Sequence, residues 1–364
     1  MLLRITVLSV VLLTNGITAC SQQPKIDFEA YNPPSTLVVP ENPVSKAKYP
    51  FIDVHNHQYR MGSGSLSGLI TDMDALNLKI MVNLSGGNGD GLKKMVENAR
   101  SQYPGRFVVF HNIDFSGIGE PGWSEKAAKQ VQEDYNNGAR GLKVFKNLGF
   151  SVKDNKGNRV PVDDPRLDLI WKKCGELKMP VLIHTADPEP FWDELNNDNE
   201  RLLELYTHPR RKRSGTDPAP WEELIAEQHR MFKKHPGTTF IAAHFGWYPN
   251  NLKKLDSLMT SMPNVVVEFG AVIAELGRQP RAAHDFFMKY QDRILFGKDS
   301  WVPSEYATYF RVLETADEYF PYHKKYHAFW RMYGLALPDE VLKKVYYKNA
   351  LRIIQGLDAS LFPR

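Results

Sequence analysis

From Tyr49 onward the chain alternates short apolar runs with helical patterns, and no other feature constrains its fold as strongly. The runs are Phe51–His55, Lys79–Leu84, Phe107–Ile113, Gly141–Phe145, Pro180–His184, Thr239–His244, Val265–Phe269 and Ile294–Gly297. Each reads as a short buried strand. Helical periodicity fills the intervals at Gly91–Gln102, Glu125–Asn137, Arg166–Lys178, Trp221–His235, Pro249–Met262 and Arg281–Gln291, and Pro338–Ile354 reads as a closing helix. Strand alternating with helix predicts a parallel sheet covered by helices. Eight strands favour a closed (β/α)8 TIM barrel over an open doubly wound sheet, and barrels with insertions reach 364 residues as one domain. A dinucleotide-binding sheet is disfavoured, because no Gly-x-Gly-x-x-Gly follows the first strand.

Polar residues end several of these strands. Asp53-Val54-His55-Asn56-His57 closes the first. Two histidines at i, i+2 of a strand point the same way, so both imidazoles can reach one cation. His184 and His244 end the fifth and sixth runs, and Asp299 follows the eighth. Only a closed barrel brings those four strand ends around one axis, at the face where barrel active sites lie. Asp53 shares a strand face with His55 and reads as a residue that orients a ligand or the barrel floor.

The first twenty residues read as a targeting segment. Arg4 begins it, Ile5–Leu13 is apolar but too short to span a bilayer, and Ile17-Thr18-Ala19-Cys20 resembles a bacterial lipobox. That resemblance implies lipidation at Cys20, and Ser21 after it favours an outer-membrane lipoprotein; a plain cleaved signal peptide is the alternative. Residues 21–48, rich in Pro, Ser and Asn, read as a tether, and 49–364 as the catalytic domain. No later run is long and apolar enough for a transmembrane helix. Cys174 falls on a helical pattern and reads as a buried small apolar residue. The net charge is only +4, and the one dense basic run, Arg210–Arg213, reads as a solvated loop, so nucleic-acid binding has little support.

From Tyr49 to Gly356 the strand-end residues resemble the amidohydrolase superfamily, nearest its amidohydrolase-related branch of lactonases, hydrolases and nonoxidative decarboxylases. Phe296-Gly297-Lys298-Asp299 looks like the family's strand-eight segment, with Lys298 where a small or hydroxylic residue is more usual. The resemblance implies a divalent metal on His55, His57, His184 and Asp299. His244 would bind a second metal or act as a proton donor or electrostatic clamp. Lys143, at the fourth strand, would either be a carbamate bridging two metals or pair with a carboxylate or anionic substrate. Zinc suits imidazoles and carboxylate with one open position; manganese or iron also fit. The implied chemistry is hydrolysis of an ester, lactone or amide in a small carboxylated substrate, with Asp299 and His244 as catalytic residues. Nonoxidative decarboxylation and a noncatalytic surface-binding lipoprotein are the alternatives.

Further residues have weaker signals. His111 reads as a packed histidine or a substrate contact, and Glu268 could face the pocket or the helices. Lys146 and Arg278, with Arg281 and Lys298, lie near strand ends and could hold a substrate carboxylate. His208, His229, His235, His284, His323 and His327 read as surface residues. Two long connections, Thr185–Pro220 and Trp301–Leu337, lack clear periodicity and read as lids, binding loops or contacts in a homo-oligomer.

Overall fold

The first strand, β1 (Phe51–Asn56), is buried at all six residues, as a strand covered on both faces must be. It pairs in parallel with β2 (Leu78–Asn83), which pairs with β3 (Phe107–Val109). A second parallel sheet runs in sequence order through β4 (His111–Asn112), β5 (Leu142–Val144), β6 (Val181–Ile183), β7 (Phe240–Ala242), β8 (Val265–Glu268) and β9 (Ile294–Leu295). The computed structural model describes residues 26–27, 30–214 and 218–363. Cys20 and the expected signal segment lie outside them. This is an α/β fold built on parallel sheets.

The expected third strand runs through Phe110 and is bonded on both sides, so β3 and β4 are one strand and the two sheets join there. On the β2 side the N–H groups of Phe110 and Asn112 donate to Asn83 O and Gly87 O at 2.9 and 2.7 Å; on the β5 side His111 N–H donates to Gly141 O at 2.9 Å and Val109 O accepts from Arg140 N–H at 3.1 Å. Gly141 lets the chains approach closely here, because a Cβ there would sit 2.3 Å from the Phe110 ring. Two backbone hydrogen bonds also link β1 to the segment after β9: Val54 N–H to Phe296 O at 2.9 Å and Asp299 N–H to His55 O at 2.7 Å.

Helices at Gly89–Gln102, Trp123–Asn136, Asp168–Glu176, Trp221–Lys234, Leu252–Ser261 and Pro280–Lys289 match the expected intervals to within a few residues. The closing helix is continuous from Asp339 to Ile353, with a π-helical turn at Lys344–Lys348. Cys174 is buried and free, and burial pushes its thiol pKa up. Several helices were not expected: Ser67–Leu76 between β1 and β2, Leu202–Thr207 in the first long connection, Ile273–Gly277 after β8, and Tyr306–Glu314 inside the second long connection, with Tyr306, Tyr309 and Phe310 turned into the core. Phe296 packs against Phe51 at 4.8 Å and against Tyr346 at 5.7 Å, so aromatic rings join β1, the β9 exit and the closing helix. Asp53 reinforces this joint: Oδ1 accepts the N–H groups of His55 and Lys298, and Oδ2 accepts the Tyr306 hydroxyl at 2.6 Å.

Residues 39–364 form one compact unit. The last part of the expected tether therefore belongs with the domain. Ala47 is buried, the Asn42 side chain donates to Asp317 at 2.7 Å, and Lys48 pairs with Asp339 at 2.5 Å. Among the described residues no helix is long and apolar enough to cross a membrane.

Candidate metal centre

The C-terminal ends of β1, β6, β7 and β8 and the segment after β9 deliver a group of histidines and carboxylates to one place. His55 is fully buried. Its Nδ1 donates to Glu268 Oε1 at 2.9 Å, so Nε2, 3.2 Å from Asp299 Oδ1, is the nitrogen that carries either the second imidazolium proton or a cation in its place. Nε2 of His55 is buried, and Asp299 is the acid it faces. His57 repeats the arrangement: Nδ1 meets Ser85 Oγ at 2.8 Å, and Nε2 faces the same Asp299 oxygen at 3.6 Å. Ligand atoms of His55, His57 and Asp299 all lie within 4.8 Å of one another.

His184 and His244 make a second facing pair. His244 Nδ1 donates to Gly270 O at 2.6 Å and His184 Nε2 donates to Ala186 O at 3.0 Å. Their remaining nitrogens, His244 Nε2 and His184 Nδ1, approach to 3.2 Å. With both protons fixed on carbonyls, two neutral imidazoles present lone pairs to each other, which is repulsive unless a cation lies between or beside them. Burial holds both histidines below their ordinary pKa, so the neutral forms dominate near pH 7. The convergence of His55, His57 and Asp299 on one point and this lone-pair contact both fit a bound divalent cation.

The backbone is strained to make this arrangement. His244, Phe245, Gly246 and Trp247 are consecutive left-handed residues, with φ of 56°, 57°, 58° and 61°. The cost is roughly 1–2 kcal/mol for each non-glycine residue. Glu268 holds the turn: Oε1 accepts the His244 N–H at 2.8 Å, and Oε2 accepts the Gly270 N–H at 2.6 Å. The same carboxylate orients His55. Gly297 makes room for it, since a Cβ there would lie 2.2 Å from Glu268 Oε2. Ligand atoms of His55, His244 and Glu268 also fall within 4.8 Å, but hydrogen bonds already occupy the carboxylate. Glu268 is therefore the support of the group rather than a ligand.

Charge is distributed unevenly. Burial works against ionised Glu268 and Asp299, yet the neighbouring histidines overcome it, holding Glu268 at about 2 and Asp299 well below the carboxylate range. Burial and Lys143 oppose a charge on His55, but Glu268 and Asp299 outweigh them and raise it to about 8; burial drives His57 down to about 4. Lys143 is buried, and its Nζ has no hydrogen-bond partner. Burial lowers its pKa to about 8 against the pull of Asp299 and Glu268. Asp299, with a positive φ of 81°, keeps about one third of its side chain exposed, so the group opens to solvent there.

His55, His57, His184, His244 and Asp299 thus come together, with Lys143 electrostatically coupled to them. Three expected residues fare differently. His111 is fully buried against Asp134 of the Trp123–Asn136 helix, 3.3 Å away, which favours its packed reading. Arg278 gives both ends of its guanidinium to Glu200, at 2.8 and 3.0 Å, and stacks 4.1 Å over Trp330, so its fork is already filled. Lys146 pairs with Asp187 at 2.6 Å. The basic run is not simply solvated either, because Arg211 pairs with Glu204 and Arg213 with Asp187. His323 is a further correction, since both its ring nitrogens are buried beside Glu305. Sequence reasoning left Glu268 open and overlooked Ser85. A carboxylate ending the apolar run Val265–Val267 was the available signal for Glu268; nothing comparable marked Ser85.

Comparison with known proteins adds a family and a fold. A family model described as Amidohydrolase matches residues 90–355. The match begins after β1, so His55 and His57 enter the site through the structure. No curated protein matches the sequence significantly. A Staphylococcus aureus protein provisionally described as an amidohydrolase is 18% identical and covers 84% of this chain and 99% of its own, with a TM-score of 0.51. A 2,6-dihydroxybenzoate decarboxylase from Rhizobium is 15% identical, covering 84% and 98%, with a TM-score of 0.51. A dihydroxybenzoic acid decarboxylase from a Polaromonas species, with manganese and the inhibitor 2-nitroresorcinol bound, is 14% identical, covering 86% and 99%, with a TM-score of 0.52. At these identities the likeness is one of fold.

Proposed function

Because the chain belongs to the amidohydrolase family, we propose that it is a metal-dependent hydrolase that cleaves an ester, lactone or amide in a small molecule. One observation carries this reading. Asp299 Oδ1 faces His55 and His57 while the side chain remains partly open to solvent, so its other oxygen is free to work on water. The same reading takes the eight strand positions, with β3 and β4 as one strand, to be a closed (β/α)8 barrel. Its support is the pair of backbone hydrogen bonds between β1 and the β9 exit.

His55, His57 and Asp299 would hold the cation, with His184 and His244 as the next donors. Zinc is our choice for this set of imidazoles and carboxylate. A bound divalent cation supplies Lewis acidity, which lowers the pKa of water and stabilises negative charge on a carbonyl oxygen. Asp299 takes the proton from the attacking water and returns it to the leaving oxygen or nitrogen. Glu268 keeps a proton on His55 Nδ1, so Nε2 is the nitrogen that would give up its proton in favour of a bound cation. His244 has its proton on Gly270 O, so its site-facing Nε2 is an acceptor. We therefore assign it to holding cationic charge and leave proton transfer to Asp299. We also propose that lipidation at Cys20 places this chemistry at the cell envelope.

Metal analysis and product analysis together test the reading. The purified chain should hold a divalent metal that His55→Ala loses, and metal-loaded protein should hydrolyse members of an ester, lactone and amide panel. Carbon dioxide release without net hydrolysis would replace the hydrolase with a nonoxidative decarboxylase. Full metal retention by His55→Ala would remove the proposed centre.

A further inference from the structure

Beside the metal centre two cations share one carboxylate. Asp187 lies three residues after His184, and its Oδ1 is 3.9 Å from His184 Nε2. That oxygen accepts from Lys146 Nζ at 2.6 Å, while Oδ2 accepts from Arg213 Nε and Nη2 at 3.0 and 2.7 Å. Lys146 follows β5 and Arg213 comes from the long connection after β6. Asp187 itself is buried, and its carbonyl accepts the Trp221 indole N–H at 3.0 Å. Lys146 and Arg213 both lie over the Phe150 ring, at 5.8 and 5.2 Å.

Donors exceed acceptors here. An ammonium has three N–H donors and a guanidinium five. Lys146 uses one on Asp187 and keeps 38% of its side chain exposed. Arg213 uses Nε and Nη2 on Asp187 and Nη1 on Arg210 O, which leaves further N–H groups. Among the described residues neither cation has a second acidic partner, so the trio carries one surplus positive charge. Arg278, by contrast, has Glu200 to itself, and Arg159 has two carboxylates. A surplus cation fixed by a buried acid next to the metal ligands is built to receive an anion.

We propose that Lys146 and Arg213 form an anion subsite that takes a carboxylate of the substrate remote from the bond that is cleaved. Asp187 is their positioning residue, since both its oxygens are already engaged. The planar fork of Arg213 suits a carboxylate, and Lys146 adds a point charge. The substrate class is then a small carboxylic acid bearing a separate hydrolysable group. This deepens the hydrolase reading and takes the position of the reacting bond from it.

The test is calorimetric binding of two probes to the zinc-loaded full chain. Isophthalate and 3-carbamoylbenzoate each offer one carboxylate to the metal centre, but only isophthalate offers a second. Isophthalate should bind roughly tenfold tighter or more, the range expected for one charge-assisted hydrogen-bonded contact. Lys146→Gln and Arg213→Gln should each reduce that preference severalfold, and Arg213→Lys should restore part of it. Lys146 is exposed enough that its variant should melt like the wild type, so the test survives if Arg213→Gln disturbs its loop. Equal affinities in the wild type, no binding of either probe, or an unchanged preference in both variants would overturn the subsite. Because binding is the readout, a chain that shows the preference yet releases carbon dioxide would sink only the hydrolase reading.

Discussion

Replacing Glu268 by glutamine should weaken the fold and the metal centre together. The carboxylate accepts three hydrogen bonds in full burial, from His55 Nδ1, the His244 N–H and the Gly270 N–H. These partners hold its pKa at about 2, against 4.5 ordinarily. That difference corresponds to roughly 3 kcal/mol of stability, at about 1.4 kcal/mol per tenfold change in the protonation equilibrium. The sign follows from a lowered folded-state pKa. The contribution is complete above the unfolded value near 4.5 and is lost as pH falls through about 2. Glutamine preserves the volume but sets an NH2 group against one of the N–H donors, leaving a buried donor unpaired at about 1–3 kcal/mol. Urea denaturation of the metal-stripped chain at pH 7 should therefore show Glu268→Gln destabilised by roughly 2–4 kcal/mol, with the gap narrowing at pH 3. Titration of the folded variant should show metal affinity reduced by about 10- to 100-fold, the usual effect of removing the group that orients a ligand histidine. A loss under about 0.5 kcal/mol, a small value for a buried charged network, would refute the assignment of Glu268 as the support of the site.

Asp299→Asn should keep the fold and lower kcat by about 10²–10⁴-fold with KM less affected, the range expected for general-base assistance; near-wild-type turnover by the metal-loaded variant would take Asp299 off the catalytic list. Lys143→Met should raise the stability of the metal-stripped chain at pH 7 by roughly 1–3 kcal/mol. Burial lowers the lysine pKa to about 8 from 10.5, so its penalty is complete below about 8 and gone above about 10.5; a lower Tm for the variant at pH 7 would contradict this. The same variant should retain one metal per chain, whereas two metals in the wild type with bicarbonate-dependent recovery would make Lys143 a bridging carbamate. Cys20→Ser should abolish fatty-acyl labelling and release the chain from membranes, and unchanged labelling would end the lipoprotein proposal.

Local pattern carried much of this molecule. The alternation of short apolar runs and helical periodicity specified parallel strands and covering helices, because burial on both faces of a strand and one face of a helix leaves its mark within a few residues. It also placed His55, His57, His184, His244 and Asp299 at strand ends, and strand geometry alone made His55 and His57 neighbours. The tertiary structure decided whatever depends on distant partners. The Phe110 ring lies where a Cβ would be because the residue across from it is Gly141. Glu268 turns inward because His55, more than two hundred residues earlier, offers it an N–H. Arg278 is filled by Glu200, whereas Arg213 shares Asp187 with Lys146 and keeps donors to spare. A basic residue in a loop has the same local sequence signature whether its charge is matched or surplus. Only the fold brings the opposing charge within reach, and the balance of charges in the finished site follows from that packing.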